Sequence, residues 1–217
     1  MTTEIQSSVG STRNPFNYEK FEQIARDSAT AWLTLDEITN QLNLFGDESQ
    51  DTYLESLELA ARMYIEDYLG MSIFPITYRV YYATDGLTSS PVCLDLPAYS
   101  QNITASQAGV TINSVKYWNG DNTLTTVATS SYYLDASGNK VIVSTMPTDI
   151  NTDRTSPIVI EYRTAANPLS NYAVIKQAGL LLITHLYNNR SETVDKQNSK
   201  IQYGVDTLLR TYKPLVM

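Results

Sequence analysis

The sequence predicts an α+β protein, in which a helical bundle built from N- and C-terminal helices carries an inserted antiparallel β-sheet or small β-sandwich. Apolar residues recur at helical spacing over residues 34–69 and again over residues 170–188. Between these stretches the apolar period changes to two, which is typical of strands with one buried face. The expected parts are an N-terminal arm or extension (1–33), a helical core (34–74 and 169–217) and an inserted β region (75–168).

The N-terminal extension is predicted to contribute little to the core. Residues 1–16 are rich in Ser, Thr and Gly, a composition typical of a flexible arm. Residues 18–28 are predicted to form a short helix with Phe21, Ile24 and Ala25 on one side. Two interpretations stay open: the arm becomes ordered on a neighbouring subunit, or it is simply a flexible terminus.

Two helices in series follow the extension. Thr34 and Glu37 have the spacing of a capping box, in which side chains accept hydrogen bonds from the backbone N–H groups at a helix start. Thr52 and Glu55 repeat that spacing before a longer helix, for which Gly70 offers a stop. The apolar stripe of this longer helix consists of Leu54, Leu57, Ala61, Tyr64, Ile65, Tyr68 and Leu69.

The other faces of the longer helix give two further expectations. Glu58, Arg62 and Glu66 are four residues apart, so they are predicted to form a strip of alternating charge that water solvates. Leu59 and Met63 lie off the main apolar stripe. They either widen the surface that faces the core or form a subunit interface.

Short strands with turn residues between them are predicted from Ile76 onward. Asn119-Gly120 and Ser137-Gly138-Asn139 are expected to be turns, and residues 98–109 form a polar loop. The predicted strands are Ile76–Tyr82, Val92–Leu96, Val110–Ile112, Val115–Trp118, Leu124–Val127, Tyr132–Leu134, Lys140–Ser144 and Ile158–Tyr162.

Two helices are predicted after the β region. The helix from Ser170 to about Asn188 is apolar around most of its circumference, so it must be covered on more than one side, most simply by the long N-terminal helix. A polar loop from Arg190 to Lys200 leads to a last amphipathic helix stopped by Pro214. The apolar residues of that helix are Val205, Leu208, Leu209 and Tyr212.

Charge and cysteine content exclude several classes of protein. The net charge is −8; residues 1–70 carry 4 basic and 13 acidic side chains, so the chain is a poor candidate for gripping nucleic acid. Cys93 is the only cysteine, so neither an intrachain disulfide nor a thiolate metal site is available, and we expect its side chain to be buried. The first thirty residues lack an apolar signal sequence, which predicts a chain made and kept in a reducing cytoplasm unless it is packaged into a larger particle.

A search for catalytic groups gives no candidate site, so we expect no enzyme, no cofactor and no metal. The one histidine, His185, lies in an apolar helix, where we expect it to form hydrogen bonds at the edge of the core. The acidic residues Asp47, Glu48 and Asp51 lack the ligand spacing of a calcium-binding loop and suit a solvated helix start. A pair of carboxylates brought together by the fold stays open, although no particular pair is indicated.

Several of these segments, in this order, resemble the head-to-tail connector (adaptor) proteins of tailed bacteriophages. The resemblance covers residues 34–217, and its weight lies in the order and spacing of short motifs. It departs from the family in the N-terminal extension, in the long loop after Pro97, and in Tyr162–Ala166, which lacks the glycines usual after the last strand. The motifs are Thr34–Ile38 (TLDEI), Ala60–Gly70, Leu94–Pro97 (LDLP), Val115–Tyr117 (VKY) and Asn189-Arg190.

The resemblance implies a structural virion protein that forms a ring, commonly of twelve copies, beneath the portal protein. Such a ring extends the DNA channel without sequence-specific binding and joins the capsid to neck or tail proteins. It also implies that the C-terminal segment, here Tyr203–Met217, contacts the portal by docking its last helix in a groove. The alternative is that this helix packs on its own subunit. The residues for this contact are Val205, Leu208, Leu209, Arg210, Tyr212 and Lys213.

Two alternatives to a connector remain open from the sequence. One is a tail-completion or other neck or tail protein. The other is a carbohydrate-binding β module, which predicts exposed aromatic rings in a groove, with Tyr117 and Trp118 as candidates.

Overall fold

The structure is a computed structural model that describes residues 16–70, 72–84, 91–97, 109–166, 168–190 and 201–213, without the side chains of residues 168, 169 and 201–203. Most of the predicted arm and of the two long polar loops lies outside the described residues. The predicted α+β class with antiparallel sheets is confirmed. The elements are β1 (Lys20–Arg26), α1 (Leu35–Leu42), α2 (Asp51–Leu69), β2 (Ile76–Tyr82), β3 (Val92–Asp95), β4 (Val110–Trp118), β5 (Leu124–Thr126), β6 (Tyr132–Asp135), β7 (Lys140–Val143), β8 (Ile158–Thr164), α3 (Ala173–Asn188) and α4 (Ile201–Arg210).

The described residues form two compact units. One contains the sheets and comprises the described residues up to Ile24, those within Thr77–Pro97, and Val110–Arg163. The other contains the helices and comprises Ala25–Ile76, Gly109 and the described residues from Thr164 onward. The predicted division into arm, helical core and β insertion stays a prediction.

The β unit contains a five-stranded sheet, in the order β1-β2-β8-β4-β5, and a three-stranded sheet, in the order β3-β7-β6. In the first, β2 and β8 are antiparallel and Val80 lies opposite Ile160; in the second, Leu94 of β3 lies opposite Val141 of β7. These four side chains are fully buried. The alternation read in the sequence therefore marks the inward faces of both sheets.

The helix predicted for residues 18–28 is wrong, because residues 20–26 form strand β1 at the edge of the larger sheet. Glu19 N–H donates to the Tyr81 carbonyl, and Tyr81 O–H donates to the Glu22 carboxylate at 2.6 Å. Seven residues with two large apolar side chains fit either a helix or a strand, and pairing with β2 decides between them.

Both predicted hairpin turns occur, although a different residue has positive φ in the first. The chain reverses after Asn119, whose side chain accepts from Thr123 N–H at 2.8 Å, and the left-handed residue is Asn122 (φ 58°). In the second turn Asn139 is left-handed (φ 53°). The two strands predicted over residues 110–118 form one continuous strand, β4.

The ends of α1 and α2 show which helix signals were reliable. Thr34 and Glu37 form a complete capping box, and Gly70 ends α2 in the left-handed conformation, both as predicted. The second capping box is wrong, since α2 begins at Asp51 and its N-cap, Gln50, makes no side-chain cap hydrogen bond. The N-cap lies two residues before Thr52, so Thr52 is inside the helix and cannot act as its cap.

Helix α3 lies at the centre of the helical unit and contacts α1, α2 and α4, as its apolar circumference predicted. It begins at Ala173, after a 3₁₀ turn over Pro168–Asn171, and not at Ser170. Trp32, assigned to the N-terminal extension, is buried here, and its indole N–H donates to the Ser170 carbonyl at 2.9 Å. The buried core consists of Trp32, Leu33, Ile38, Leu54, Leu57, Ala61, Ile65, Leu69, Ile73, Ile175, Ala178, Ile183, Val205 and Leu209.

Gly179 of α3 is the place where Trp32 approaches the helix backbone. A Cβ atom at Gly179 would lie 2.7 Å from Cζ3 and 2.9 Å from Cη2 of the indole ring. We expect Gly179→Ala to destabilise the chain by about 1–2 kcal/mol, because overpacking costs about 1–3 kcal/mol and the better helix propensity of alanine returns up to about 1 kcal/mol. Urea unfolding measures this change.

Gly204 of α4 provides the matched control. It is exposed, and a Cβ atom there would meet nothing within 4 Å. We therefore expect Gly204→Ala to leave stability unchanged or raise it by up to about 1 kcal/mol. Equal effects of the two substitutions would contradict the close packing of Trp32 on α3.

Candidate assembly surfaces

The face of α2 predicted to be a solvated charged strip is buried, which corrects the sequence analysis. Glu58 is 4% exposed, Arg62 1% and Glu66 4%. The periodicity was correct, but the neighbours were not foreseen, because two segments outside the helical pattern cover this face. They are residues 26–33, before α1, and residues 72–74, after α2.

Each charged group on this face binds one of the covering segments. Glu58 accepts from Trp32 N–H at 3.0 Å, and an Arg62 Nη1–H group donates to the Thr30 carbonyl at 2.6 Å. Glu66 accepts from Arg26 at 3.0 Å and from Ile73 N–H at 2.7 Å. Buried charges are costly unless they are paired and hydrogen-bonded, and here most of them are. We call Arg26, Glu58, Arg62 and Glu66 the α2 charge network.

Arg62 lies at the centre of this network. Its Nε atom is 3.9 Å from Glu58 Oε1, and its guanidinium lies 4.9 Å above the ring of Phe74. Nη2 is buried with no hydrogen-bond partner. The network therefore fixes the segments on both sides of α2 rather than presenting charge to a ligand.

Burial gives the stability of the helical unit a dependence on pH. Desolvation raises the pKa of Glu58 above its ordinary value of 4.5, so the folded chain holds this proton more tightly than the unfolded chain does. That contribution is fully present below about pH 4.5 and is lost as the pH rises through the folded-state pKa. We expect Glu58→Gln to gain stability relative to the wild type as the pH is raised above about 4.5, in urea titrations at several pH values.

The control for this prediction is Glu55→Gln, one turn earlier on α2, where the carboxylate is exposed. This variant makes the same chemical change at an exposed position of the same helix, so it reports the effect of the substitution itself. A Glu58→Gln difference that is independent of pH would contradict the assignment.

The predicted subunit-interface residues lie on the outer face of α2. Met63 is 40% exposed and Leu59 is half-buried, with exposed Ala60 between them. Tyr64, predicted to face the core, is 42% exposed. A contact of Leu59 and Met63 with another subunit stays a prediction.

The predicted portal-contact residues divide into two groups. Val205 and Leu209 are buried in the helical core, and Leu208 and Tyr212 pack against it. The exposed residues are Arg210 and Lys213, and the Lys213 ammonium lies 4.6 Å above the ring of Tyr68. The described part of α4 therefore packs on its own chain, the second of the two arrangements left open, with its positive charges outward.

Cys93 is exposed, which corrects the prediction of a buried thiol. In β3 the flanking Val92 and Leu94 are buried, so the strand alternation turns Cys93 to the opposite face. The Cys93 carbonyl accepts from the Asn17 side chain at 2.6 Å. Residues just before β1 are thereby attached to β3.

The aromatic residues proposed for glycan binding do not form an exposed groove. Tyr117 is 8% exposed. Trp118 is half-buried, with the Arg154 guanidinium 3.7 Å above its ring. Arg154 also donates to the Asn122 side chain at 2.7 Å, so the cation is held against the indole. These two residues therefore give no support to a carbohydrate site.

His185 and the acidic turn at residue 47 form local hydrogen bonds with neighbouring residues. His185 is half-buried, with its Nδ1 atom 3.2 Å from the Asn189 amide. Asp47 accepts from Ser49 N–H at 3.0 Å and from its hydroxyl at 2.5 Å, as in an Asx turn, and this lowers the pKa of Asp47. Among the described residues no cluster of three or more metal-ligating side chains occurs.

One surface cleft of about 480 Å³ opens beside the charge network, between residues 28–35 and the start of α2. Small side chains such as Ala29 and Ala31 line most of it, and its charged groups are Glu55 and Glu58. One of these two carboxylates, Glu58, accepts from Trp32 N–H and lies 3.9 Å from Arg62 Nε. None of the helices in the described ranges is long and apolar enough to cross a membrane.

The charged and aromatic groups described above contribute to the packing of an α+β protein. No family model and no curated protein matches the sequence.

Solved structures of gene transfer agent (GTA) particles contain chains of the same fold. A chain from the neck of the empty GTA particle, computed with C6 symmetry, matches with a TM-score of 0.63 and 16% identity. Chains from the virion of the native GTA particle (0.61, 16%) and from the neck of the native particle, computed with C12 symmetry (0.59, 15%), are similar too. Each match covers 92% of this chain and 97% of the other.

Proposed function

We propose that this chain is a structural virion protein, a head-to-tail connector (adaptor) in the neck of a phage-like particle. The observation that carries the proposal is a fold shared with GTA neck chains over almost the whole length of both partners. The order of the short motifs from Thr34 to Arg190 supports the same conclusion independently, because it was read from the sequence alone.

The proposed mechanism is assembly into a ring of identical copies, commonly twelve in the family that the sequence resembles. The C6 and C12 symmetry of the neck structures with the same fold supports a ring. The exposed outer face of α2, with Leu59 and Met63, is one proposed contact between subunits. Such a contact removes partly exposed apolar area from water.

The proposed portal contact uses the exposed part of the C-terminal segment. Arg210 and Lys213 supply positive charge, whereas Val205 and Leu209 act indirectly by fixing α4 on the core. Leu208 and Tyr212 are half-buried and add apolar area at the edge. Other neck or tail proteins would bind elsewhere on the ring.

The proposed ring lets DNA pass without gripping it. With a net charge of −8 the chain repels a phosphate backbone, so DNA in a channel made of such subunits stays mobile. This role needs no cofactor, metal or catalytic group. We place the protein in the virion neck, and in the host cytoplasm during assembly.

Locating the chain in purified particles tests the proposal. We expect cryo-electron microscopy of particles carrying an epitope tag on this chain to show it as a ring at the vertex from which DNA leaves, and deletion of its gene to leave heads and tails unjoined. A position in the tail, outside the neck, would favour a tail-completion or other tail protein. Absence from the particle, or turnover of a substrate by the purified chain, would end the proposal.

A further inference from the structure

The loop over residues 43–51, here called the Phe45 loop, holds an aromatic side chain out in water. Phe45 is 73% exposed, more than any other large apolar residue in the described ranges. The backbone around it is fixed: Asn43 and Gly46 are left-handed, and Leu44 N–H donates to the Thr39 carbonyl at 2.9 Å. Its other side chains include the exposed carboxylates of Asp47 and Glu48.

A second exposed aromatic surface lies at the start of α3. Tyr172 is 50% exposed and Val174 37%. The ring of Tyr212 meets that of Tyr172 edge to face, with the centroids 6.0 Å apart, and Lys213 follows directly in the chain. We call Tyr172, Val174, Tyr212 and Lys213 the Tyr172 patch.

The two surfaces lie at opposite ends of the helical unit. At the Phe45 end, Tyr53 at the start of α2 meets Tyr187 at the end of α3, with the centroids 6.2 Å apart. At the other end, Tyr68 in the last turn of α2 lies beneath Lys213. Since α2 has 19 residues, the ends are separated by roughly 27 Å at 1.5 Å per residue, and one chain cannot join its own two surfaces.

The two surfaces are complementary in charge. Residues 43–51 carry three carboxylates and no cation. At the other end, the two cations Arg210 and Lys213 are exposed, whereas the last turn of α2 has one exposed acidic residue, Asp67. No acidic residue follows Asp206 in the sequence. The Phe45 loop therefore combines an exposed apolar ring with carboxylates, and the Tyr172 patch combines aromatic rings with nearby cations.

We infer that the Phe45 loop of one copy docks on the Tyr172 patch of the next copy. The two surfaces differ, so the contact is heterologous, and repetition of a heterologous contact produces a ring when the rotation closes. This inference rests on the proposed function and specifies which surfaces join neighbouring subunits. The proposed contact is additional to the one that involves the outer face of α2.

Disulfide trapping in assembled particles tests the contact. In a Cys93→Ser background, we expect Phe45→Cys with Tyr172→Cys to give, on oxidation, a ladder of covalent species with two, three and more chains. The matched control pairs Phe45→Cys with Leu124→Cys, which replaces an exposed apolar residue of β5 and should stay a single chain. A ladder in the control, or none in the test pair when the chain is present at its normal copy number, overturns the inference.

Exchanging the charges gives a second test, which does not require two introduced cysteines to lie close enough to form a disulfide. We expect Asp47→Lys with Glu48→Lys to reduce incorporation of the chain into particles about tenfold, and the addition of Lys213→Glu to restore much of it. Wild-type incorporation of the first variant overturns the inference and leaves the proposed neck function standing. If the unmodified chain is itself absent from particles, the proposed function fails. The inference fails with it, unless the purified chain with cysteines at positions 45 and 172 gives the ladder by itself.

Discussion

Replacing Arg62 with alanine is expected to cost about 3–5 kcal/mol of stability, because it leaves the buried Glu58 carboxylate without its positive partner. Arg62 is 1% exposed, and Glu58 and Glu66 on the same face of α2 are almost as buried. The substitution also removes the hydrogen bond to the Thr30 carbonyl and the stacking on Phe74. Urea unfolding, followed by far-UV circular dichroism, measures the loss.

A double-mutant cycle separates pairing from packing at this site. Glu58→Gln with Arg62→Met keeps the side-chain volumes close while it removes both charges, so we expect it to be less destabilising than the sum of the two single changes. The surface control is Lys20→Ala. The Lys20 side chain is 65% exposed, so this variant should unfold at the same urea concentration as the wild type. Additive single changes would mean that Glu58 and Arg62 are not coupled.

Replacing Leu209 with alanine is expected to cost about 2–5 kcal/mol, because the side chain is fully buried in the helical core and its loss leaves a cavity. The measurement is made on the isolated chain, without any partner. The size of the effect therefore reports whether α4 belongs to the fold of its own subunit.

The neighbouring Arg210 provides the matched control for α4. It is exposed, so Arg210→Ala should leave the unfolding transition in place and weaken binding to the portal protein if the proposed contact is correct. If Leu209→Ala instead leaves stability unchanged and abolishes portal binding, the apolar face of α4 docks on the partner rather than on its own chain.

Local signals in the sequence predicted the start of α1, the end of α2 and most of the strands. The Thr34–Glu37 box and the Gly70 stop depend on hydrogen bonds and backbone angles within a few residues, so they can be read from spacing alone. The strand alternation of β2 and β8 is likewise local. The packing of α2 on α3 followed from two long apolar stripes, each of which needed a cover.

The failures share a cause in contacts between residues distant in sequence. Arg62 was predicted to be solvated because its cover, residues 26–33, carries no helical pattern of its own. Residues 20–26 were predicted to be helical because their partner, β2, lies more than fifty residues later. Phe45 was missed as a surface feature because a lone aromatic in a polar turn has no period, and only its exposure in the folded structure reveals it.

The two tryptophans of the chain fall in different units and in different environments. The indole of Trp32 is enclosed in the helical unit, whereas that of Trp118 in the β unit stacks against the Arg154 cation. Substituting either one with phenylalanine leaves a single tryptophan, so emission excited at wavelengths where tyrosine does not absorb follows the melting of one unit alone. Coincident transitions in the two variants would show that the units lose structure together, and separate transitions that each has its own cooperativity.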